Sequence, residues 1–294
     1  MSSRNMYIYT FKIYLTPLQD IVFTNFTGTI TLSMILNLLD KVRPGLSEQL
    51  HSTRRPKPYS VTPLFLRSYP LTGIKPVVAR AQSTLWFRVS VVGDLGLDLL
   101  NVLSSMIGEV VELFQIRARA VISNVEAQVR SIESLFSPGS TVFRVKYLTP
   151  TRFALKKPRK KDKARYSFCP EAWRIVKSTL RHWREHVDTH VSEGLVLWTY
   201  QNVVIMDFGP APGLRSNVVT VRLPRGGVAR GYVGFALYRV LGKDRENIRR
   251  LWALLRYAEL MNVGTGKSMG LGVIQLEELE ERNSRKVTGE DRTS

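Results

Sequence analysis

The stretch VGTGKSMGLGV at residues 263–273 decides the fold, because it joins a segment of helical periodicity to one of strand periodicity. The phosphate-binding loop of nucleotide hydrolases runs strand, loop, helix and needs the pattern G-x-x-x-x-G-K-[ST]. Here the order is helix, loop, strand, and Met261 holds the first glycine position. The dinucleotide fingerprint G-x-G-x-x-G would need glycine where Met269 stands. The order and spacing therefore exclude both nucleotide-binding classes.

The remaining pattern is G-x-G-x-x-x-G-x-G. Glycine adopts positive φ without strain and lets backbone N–H groups approach an anion closely. We predict that the loop binds phosphate through Gly264, Gly266, Lys267, Ser268, Gly270 and Gly272. Two alternatives stay open: the glycines serve tight packing, and Lys267 is a solvated loop lysine.

The charge of the chain favours nucleic acid as the source of that phosphate. The sequence has 43 Lys and Arg against 24 Asp and Glu, a net charge of +19 and a pI near 10.3, and such a field attracts polyphosphates. An anionic membrane surface is the competing partner, but no stretch approaches the roughly 18 to 20 apolar residues of a membrane span. No secretory signal opens the sequence, and the single Cys169 excludes an intrachain disulfide and a multi-cysteine zinc site. We expect a cytoplasmic protein with no metal and no cofactor.

Hydrophobic periodicity predicts two similar halves, each with the order β-α-β-β-α-β. In the first half the strands are expected at 7–15, 59–67, 84–92 and 110–122, and the helices around 32–39 and at 97–107. In the second half the strands are expected at 141–153, 195–208, 218–240 and 271–279, and the helices at 170–188 and 244–261. The segment SPGS at 137–140 is predicted to link them. The fold class is therefore α+β, with tandem ferredoxin-like domains at 1–138 and 141–280 and a disordered tail at 281–294.

Two basic stretches lie outside the glycine loop. The run at 156–165 includes Lys156, Lys157, Lys160 and Lys161, and the turn RGGVAR carries Arg225 and Arg230. Charges this dense repel one another and favour a mobile loop, which would bind RNA through counterion release. The alternatives are a solvated loop and an exposed turn.

The sequence HWREH at 182–186 matches the H-x-x-E-H pattern of inverted zinc peptidases. Two histidines four residues apart on a helix chelate zinc in such enzymes. Trp183 belongs instead to an apolar stripe with Trp173, Val176, Leu180 and Val187. That leaves His182 and His186 beside arginines, which disfavour a further cation, so a solvated or partly packed helix face is the preferred interpretation.

The chain resembles the CRISPR-associated endoribonuclease of the RAMP superfamily, which cuts repeat-containing precursor RNA into guide RNAs. The similarity covers nearly the whole chain. It lies in the tandem ferredoxin-like halves, the glycine loop at 264–272, and the stretches LWALLRYAE (251–259), KPYSVTPL (57–64) and LRHW (180–183).

That resemblance implies a metal-independent reaction in which the ribose 2′-OH attacks the adjacent phosphorus. The spacing of His51 and Lys57 resembles the catalytic pair of the family, with His51 as general acid or base and Lys57 stabilising the phosphorane. Arg54 and Arg55 add two cations between them. The chain departs from the fuller triad of some relatives, because Leu36 stands near the position of their tyrosine.

The resemblance also implies partners. They are CRISPR repeat RNA, the guide RNA product and subunits of a CRISPR effector complex, and related proteins occur as monomers and as homodimers. Two alternatives remain: His51 interacts with carbonyl groups at a helix end, and the chain is a non-cleaving RAMP subunit that only binds guide RNA.

Overall fold

A computed structural model describes residues 6–52, 56–157, 159, 161–187, 189–223 and 226–280, with the backbone alone at His51. The predicted tail at 281–294 lies outside these residues. Within the described ranges, no helix is both long enough and apolar enough to cross a membrane.

The N-terminal half has twelve regular elements in the described chain. They are β1 (Tyr7–Pro17), β2 (Ile21–Phe23), α1 (Gly28–Val42), α2 (Leu46–Ser52), β3 (Tyr59–Val61), β4 (Phe65–Leu66), β5 (Tyr69–Pro70), β6 (Val77–Ala79), β7 (Leu85–Val92), α3 (Leu95–Ser105), β8 (Val110–Leu113) and β9 (Ala118–Ser131). The main sheet has the order β5-β4-β7-β1-β9-β8, with β3 also paired to β7. The alternating side chains of β1 bury Phe11 and Ile13 in one core with residues of α1 and α3.

The C-terminal half repeats this plan. Its elements are β10 (Val142–Thr151), β11 (Phe153–Leu155), β12 (Arg165–Ser167), α4 (Ala172–His186), α5 (Gly194–Asn202), β13 (Val203–Pro210), β14 (Val218–Arg222), β15 (Val228–Val240), α6 (Arg245–Met261) and β16 (Ile274–Leu279). The sheet order is β13-β15-β10-β16. Strand β10, the first of this ferredoxin-like unit, therefore lies between the third strand, β15, and the last strand, β16. In the N-terminal half, β1 lies in the same way between β7 and β9. The predicted tandem ferredoxin-like fold is confirmed.

Four predicted strands differ from the structure. The one expected at 59–67 is divided into β3 and β4, and the one expected at 218–240 is the antiparallel pair β14 and β15, with Gly226 at a positive φ of 78° between them. The strand expected at 110–122 is a hairpin, because a 3₁₀ turn at Phe114–Ile116 and a left-handed Arg117 (φ 49°) reverse the chain between β8 and β9. The strand expected at 195–208 begins as helix α5. Its apolar residues match strand composition, but burial of Leu195 and Thr199 on one helical face in the core overrides that local preference.

The segment at 137–140, which follows β9 and precedes β10, is packed against α6. Arg256 donates to the carbonyls of Ser137 and Pro138, and Trp252 occupies the space where Gly139 would carry a Cβ. This connection is therefore held in place by the C-terminal half.

The glycine loop, residues 263–273, packs against the N-terminal half. Gly28, at the start of α1, leaves room for the carbonyl of Met269, and the Cβ position of Gly270 lies 2.9 Å from the nitrogen of Pro63. Asn262 donates to the carbonyl of Val61 at 2.7 Å. The loop that follows α6 therefore lies at the junction of the two halves.

Candidate functional site

A cleft of about 480 Å³ opens at this junction. Four parts of the chain form it: the segment before β3, strand β11 with the residue after it, one face of α4, and the glycine loop. Among the described residues, six cationic side chains line its wall: Lys57, Lys156, Arg174, Lys177, Arg181 and Lys267. No carboxylate is among the described residues that line it. Such a surface attracts a polyanion strongly.

Lys57 lies at the rim of the cleft, where the chain passes from α2 to β3. Its Nζ donates to the carbonyl of Leu50, the residue before His51, and burial lowers the pKa of the Lys57 ammonium. The structure therefore brings Lys57 to the last turn of α2, which contains His51. Leu36 packs against the apolar core of the N-terminal half. Arg54 and Arg55 lie outside the described residues.

The glycines of the loop have a conformational reason of their own. Gly264, Gly266, Gly270 and Gly272 all have φ between 71° and 90°, which costs any residue with a Cβ about 1–2 kcal/mol. A Cβ at Gly264 would also collide with the carbonyl of Arg152, and one at Gly272 with the carbonyl of Val263. The packing alternative thus accounts for these glycines, and phosphate contact by their N–H groups stays a prediction.

The loop also presents backbone donors. The N–H of Gly264 donates to Ser178 Oγ at 2.8 Å and that of Thr265 to the carbonyl of Arg152 at 2.9 Å. The next three N–H groups, of Gly266, Lys267 and Ser268, have no acceptor among the described residues. All three residues line the cleft. Successive unpaired N–H groups beside left-handed glycine form a concave site suited to an anion.

Lys267 is not the solvated lysine of the alternative interpretation. Its stem is partly exposed, but its Nζ is buried and has no hydrogen-bond partner in the described chain. Burial, and secondly the charge of Arg181, lower the pKa of Lys267 to about 7. A buried ammonium without a counter-ion is costly, so an anion in the cleft would stabilise it.

The histidines of α4 make hydrogen bonds within the protein and are not solvated side chains of an exposed helix face. His182 is 3% exposed, and its Nε2 lies 2.7 Å from the carbonyl oxygen of Lys57 while its Nδ1 lies 2.7 Å from Tyr257 Oη. His186 Nε2 lies 2.8 Å from the carbonyl oxygen of Pro56. The described residues contain no group of three or more His, Cys, Asp or Glu placed to hold a metal ion. The two histidines of the H-x-x-E-H pattern thus bind backbone carbonyl groups.

The predicted RNA-binding residues are distributed over several places. Lys156, Gly264, Gly266, Lys267 and Ser268 line the cleft, whereas Gly270 and Gly272 are packed behind it. Exposed residues outside the cleft wall are Lys157, Lys161 and Arg230, the last with its guanidinium 6.0 Å from the Phe168 ring. Lys160 and Arg225 lie outside the described residues.

Sequence reasoning missed the basic face of α4. Arg174, Lys177 and Arg181 follow one another at spacings of three and four, so they lie on one side of the helix. Trp173, predicted for the buried stripe, lies in the cleft wall with the Arg174 guanidinium 4.2 Å above its ring. The signal is present in the sequence, because these cations have helical spacing and flank the apolar stripe of the same helix.

Fold and site together define a tandem ferredoxin-like protein with a cationic cleft beside its glycine loop. The family model of the Cas6 N-terminal domain matches residues 9–135, and that of CRISPR-associated endoribonuclease Cas6 matches residues 145–274. The chain therefore belongs to the Cas6 family of CRISPR-associated endoribonucleases, which confirms the resemblance seen in the sequence. No curated protein matches it.

Solved structures show the same fold. A Cas6 product complex has 22% identity and a TM-score of 0.72 over 92% of this chain and 100% of the other. Thermus thermophilus Cas6 has 20% identity and a TM-score of 0.66 over 94% and 100%. A structure described as an RAMP protein binding different RNA substrates has 13% identity and a TM-score of 0.58 over 92% and 100%.

Proposed function

We propose that this chain cleaves CRISPR precursor RNA within its repeats. In the proposed reaction the ribose 2′-OH attacks the adjacent phosphorus, and the products carry a 2′,3′-cyclic phosphate and a 5′-OH. The observation that supports this most directly is the position of Lys57. Its ammonium bonds to the last turn of α2, which contains His51, at the rim of a cleft lined by six cations.

The electrostatics of the cleft favour RNA as the ligand. Lys156, Arg174, Lys177 and Arg181 supply charge along two walls, and the half-buried Trp173 offers an aromatic surface among them. Cations bind the phosphate backbone and aromatic rings stack with unpaired bases. Similar solved structures include a Cas6 product complex and a Cas6 substrate mimic complex.

The proposed roles follow from the chemistry of each group. An imidazole side chain is suited to take the 2′-OH proton or to give one to the 5′-oxygen, and we assign that role to His51. Lys57 stabilises the negative charge that develops on the phosphorane. Lys267 and the N–H groups of Gly266 and Ser268 bind a phosphate deeper in the cleft.

The direct test is to incubate the purified protein with labelled RNA from CRISPR repeats, with and without EDTA, and to map both ends of the product. We expect one defined cut, insensitive to EDTA, with cyclic phosphate and 5′-OH ends. Tight binding without a cut would instead assign the chain to the guide-RNA-binding subunits. A cut abolished by EDTA and restored by Mg²⁺ would overturn the proposed mechanism.

A further inference from the structure

Two histidines of α4 lie one helical turn apart and face the N-terminal half. The ring centroids of His182 and His186 are 4.7 Å apart, and each ring contacts the segment that precedes β3. They bond successive backbone carbonyls, those of Lys57 and Pro56. The residues in these contacts are 125 and 130 positions apart in the sequence.

The hydrogen bonds place a proton on Nε2 of both rings. A carbonyl oxygen only accepts, so Nε2 carries the proton in His182 and in His186. In a neutral His182 ring Nδ1 is then an acceptor, and Tyr257 Oη donates to it at 2.7 Å. A histidinium ring would instead donate Nδ1–H to the Tyr257 oxygen and leave the buried hydroxyl proton of Tyr257 without an acceptor in the described chain. The arrangement therefore selects the neutral Nε2–H tautomer of His182.

The surroundings of the pair also favour neutral rings. Burial lowers the pKa of both histidines, and the charge of Lys267 lowers both further. His182 is faced by Tyr257 from α6 and by Lys267 from the glycine loop, with Arg181 beside it on α4. His186 is next to Glu185, whose charge acts in the opposite direction.

We propose that His182 and His186 are positioning residues that hold the backbone of residues 56–57 and so set the place of the Lys57 ammonium for cleavage. This inference rests on the proposed function, because it assigns a task to Lys57. Two adjacent carbonyls bonded to one rigid helix leave the segment little freedom to shift. A displacement of about 1 Å in a catalytic group lowers a rate by about 10²-fold.

The variant His182→Phe keeps a planar aromatic ring and removes both hydrogen bonds. We expect its single-turnover cleavage rate to fall about 10²-fold while its Kd for repeat RNA stays within about threefold. His182→Gln retains a donor for the Lys57 carbonyl and should recover most of the rate. The matched control is His190→Ala, since His190 lies just beyond α4 and is exposed; its rate should equal that of the wild type.

A double variant separates positioning from general destabilisation. If His182 acts through Lys57, adding His182→Phe to Lys57→Ala should slow cleavage by less than about threefold. A further loss of about 10²-fold would overturn the proposal. So would a normal rate of His182→Phe in a protein whose cleavage depends on Lys57. If instead Lys57→Ala cleaves at the wild-type rate, the proposed catalytic role of Lys57 is wrong.

The wild-type protein provides a measurement that needs no variant to fold and no cleavage. Nuclear magnetic resonance of ¹⁵N-labelled histidine at pH 7 should show neutral Nε2–H rings for His182 and His186. An Nδ1–H tautomer of either ring would overturn the positioning role, because its Nε2 could not donate to the Lys57 or Pro56 carbonyl, even if the RNA is cleaved as proposed.

Discussion

Arg88 Nη2 donates to the carbonyl oxygen of Glu259 at 2.6 Å and thereby joins strand β7 to the end of helix α6. The same nitrogen lies 3.3 Å from Asn262 Oδ1. Burial lowers the pKa of the Arg88 guanidinium to about 10, with the charge of Glu259 acting in the opposite direction. Arg88 thus connects the two halves directly behind the glycine loop.

Replacing this guanidinium should loosen the junction of the halves. Arg88→Met leaves the Glu259 carbonyl without its donor, so we expect about 2–3 kcal/mol lower stability in chemical denaturation. The control Arg80→Met removes an exposed arginine that pairs with Asp20, and it should cost under about 1 kcal/mol. Equal effects of the two variants would show that Arg88 does not stabilise the junction.

Alanine variants of two glycines should separate the cost of a positive φ from the cost of a steric collision. Gly213 and Gly272 both have positive φ, at 79° and 73°. An added Cβ meets nothing within 4 Å at Gly213 but collides with the Val263 carbonyl at Gly272. Gly213→Ala should therefore cost about 1–2 kcal/mol and Gly272→Ala clearly more in denaturant unfolding. Similar costs would mean that the loop relaxes around the new methyl group.

Lys267→Met should raise stability and weaken RNA binding. Because the pKa of Lys267 falls from 10.5 to about 7 on folding, the unfolded chain binds its proton more tightly between those values. The free-energy cost of burying the Lys267 ammonium is therefore complete below pH 7, and it decreases as the pH rises towards 10. We expect Tm at pH 7 to increase by about 2 °C or more, a gain that shrinks at pH 9.

The same variant should lose about tenfold or more in RNA affinity, because the buried ammonium no longer meets a phosphate. Lys75→Met serves as a control, since Lys75 is exposed in the N-terminal half. A fall in Tm, or an unchanged Kd for RNA, would contradict the role given to Lys267.

The basic run after β11 should contribute affinity without sequence selectivity. Lys160→Ala combined with Lys161→Ala should weaken binding to all RNAs alike. The slope of log K against log salt should flatten by about 0.7 for each lost phosphate contact. Fluorescence anisotropy over a salt series measures this slope, with Lys75→Ala as the comparison. An unchanged slope would place the run outside the RNA-binding surface.

His51→Ala should affect chemistry rather than binding. A general acid or base acts mainly in the transition state, so we expect single-turnover cleavage to fall about 10²- to 10⁴-fold with Kd nearly unchanged. Substrate with 2′-deoxyribose upstream of the cut should yield no product from the wild type, because the nucleophile is missing. Cleavage by His51→Ala at the wild-type rate would show that His51 transfers no rate-limiting proton.

The fold class, the two repeated halves and the position of the glycine loop follow from the sequence alone. They rest on local properties, namely the periodicity of apolar residues and the freedom of glycine. The hairpin of β8 with β9 and helix α5 were not predictable in this way. There a single left-handed residue, Arg117, and the packing of Leu195 overrode the strand pattern.

For the site, the sequence determined the net charge of +19 and the residue types that handle RNA phosphates. Only the tertiary structure decided which of them meet. It buried the Lys267 Nζ, turned Arg174 and Lys177 into a cleft, and brought the ring of His182 to the backbone of Lys57. The physical reason is that contacts across 125 residues depend on how two cores pack together, and no local pattern records that packing.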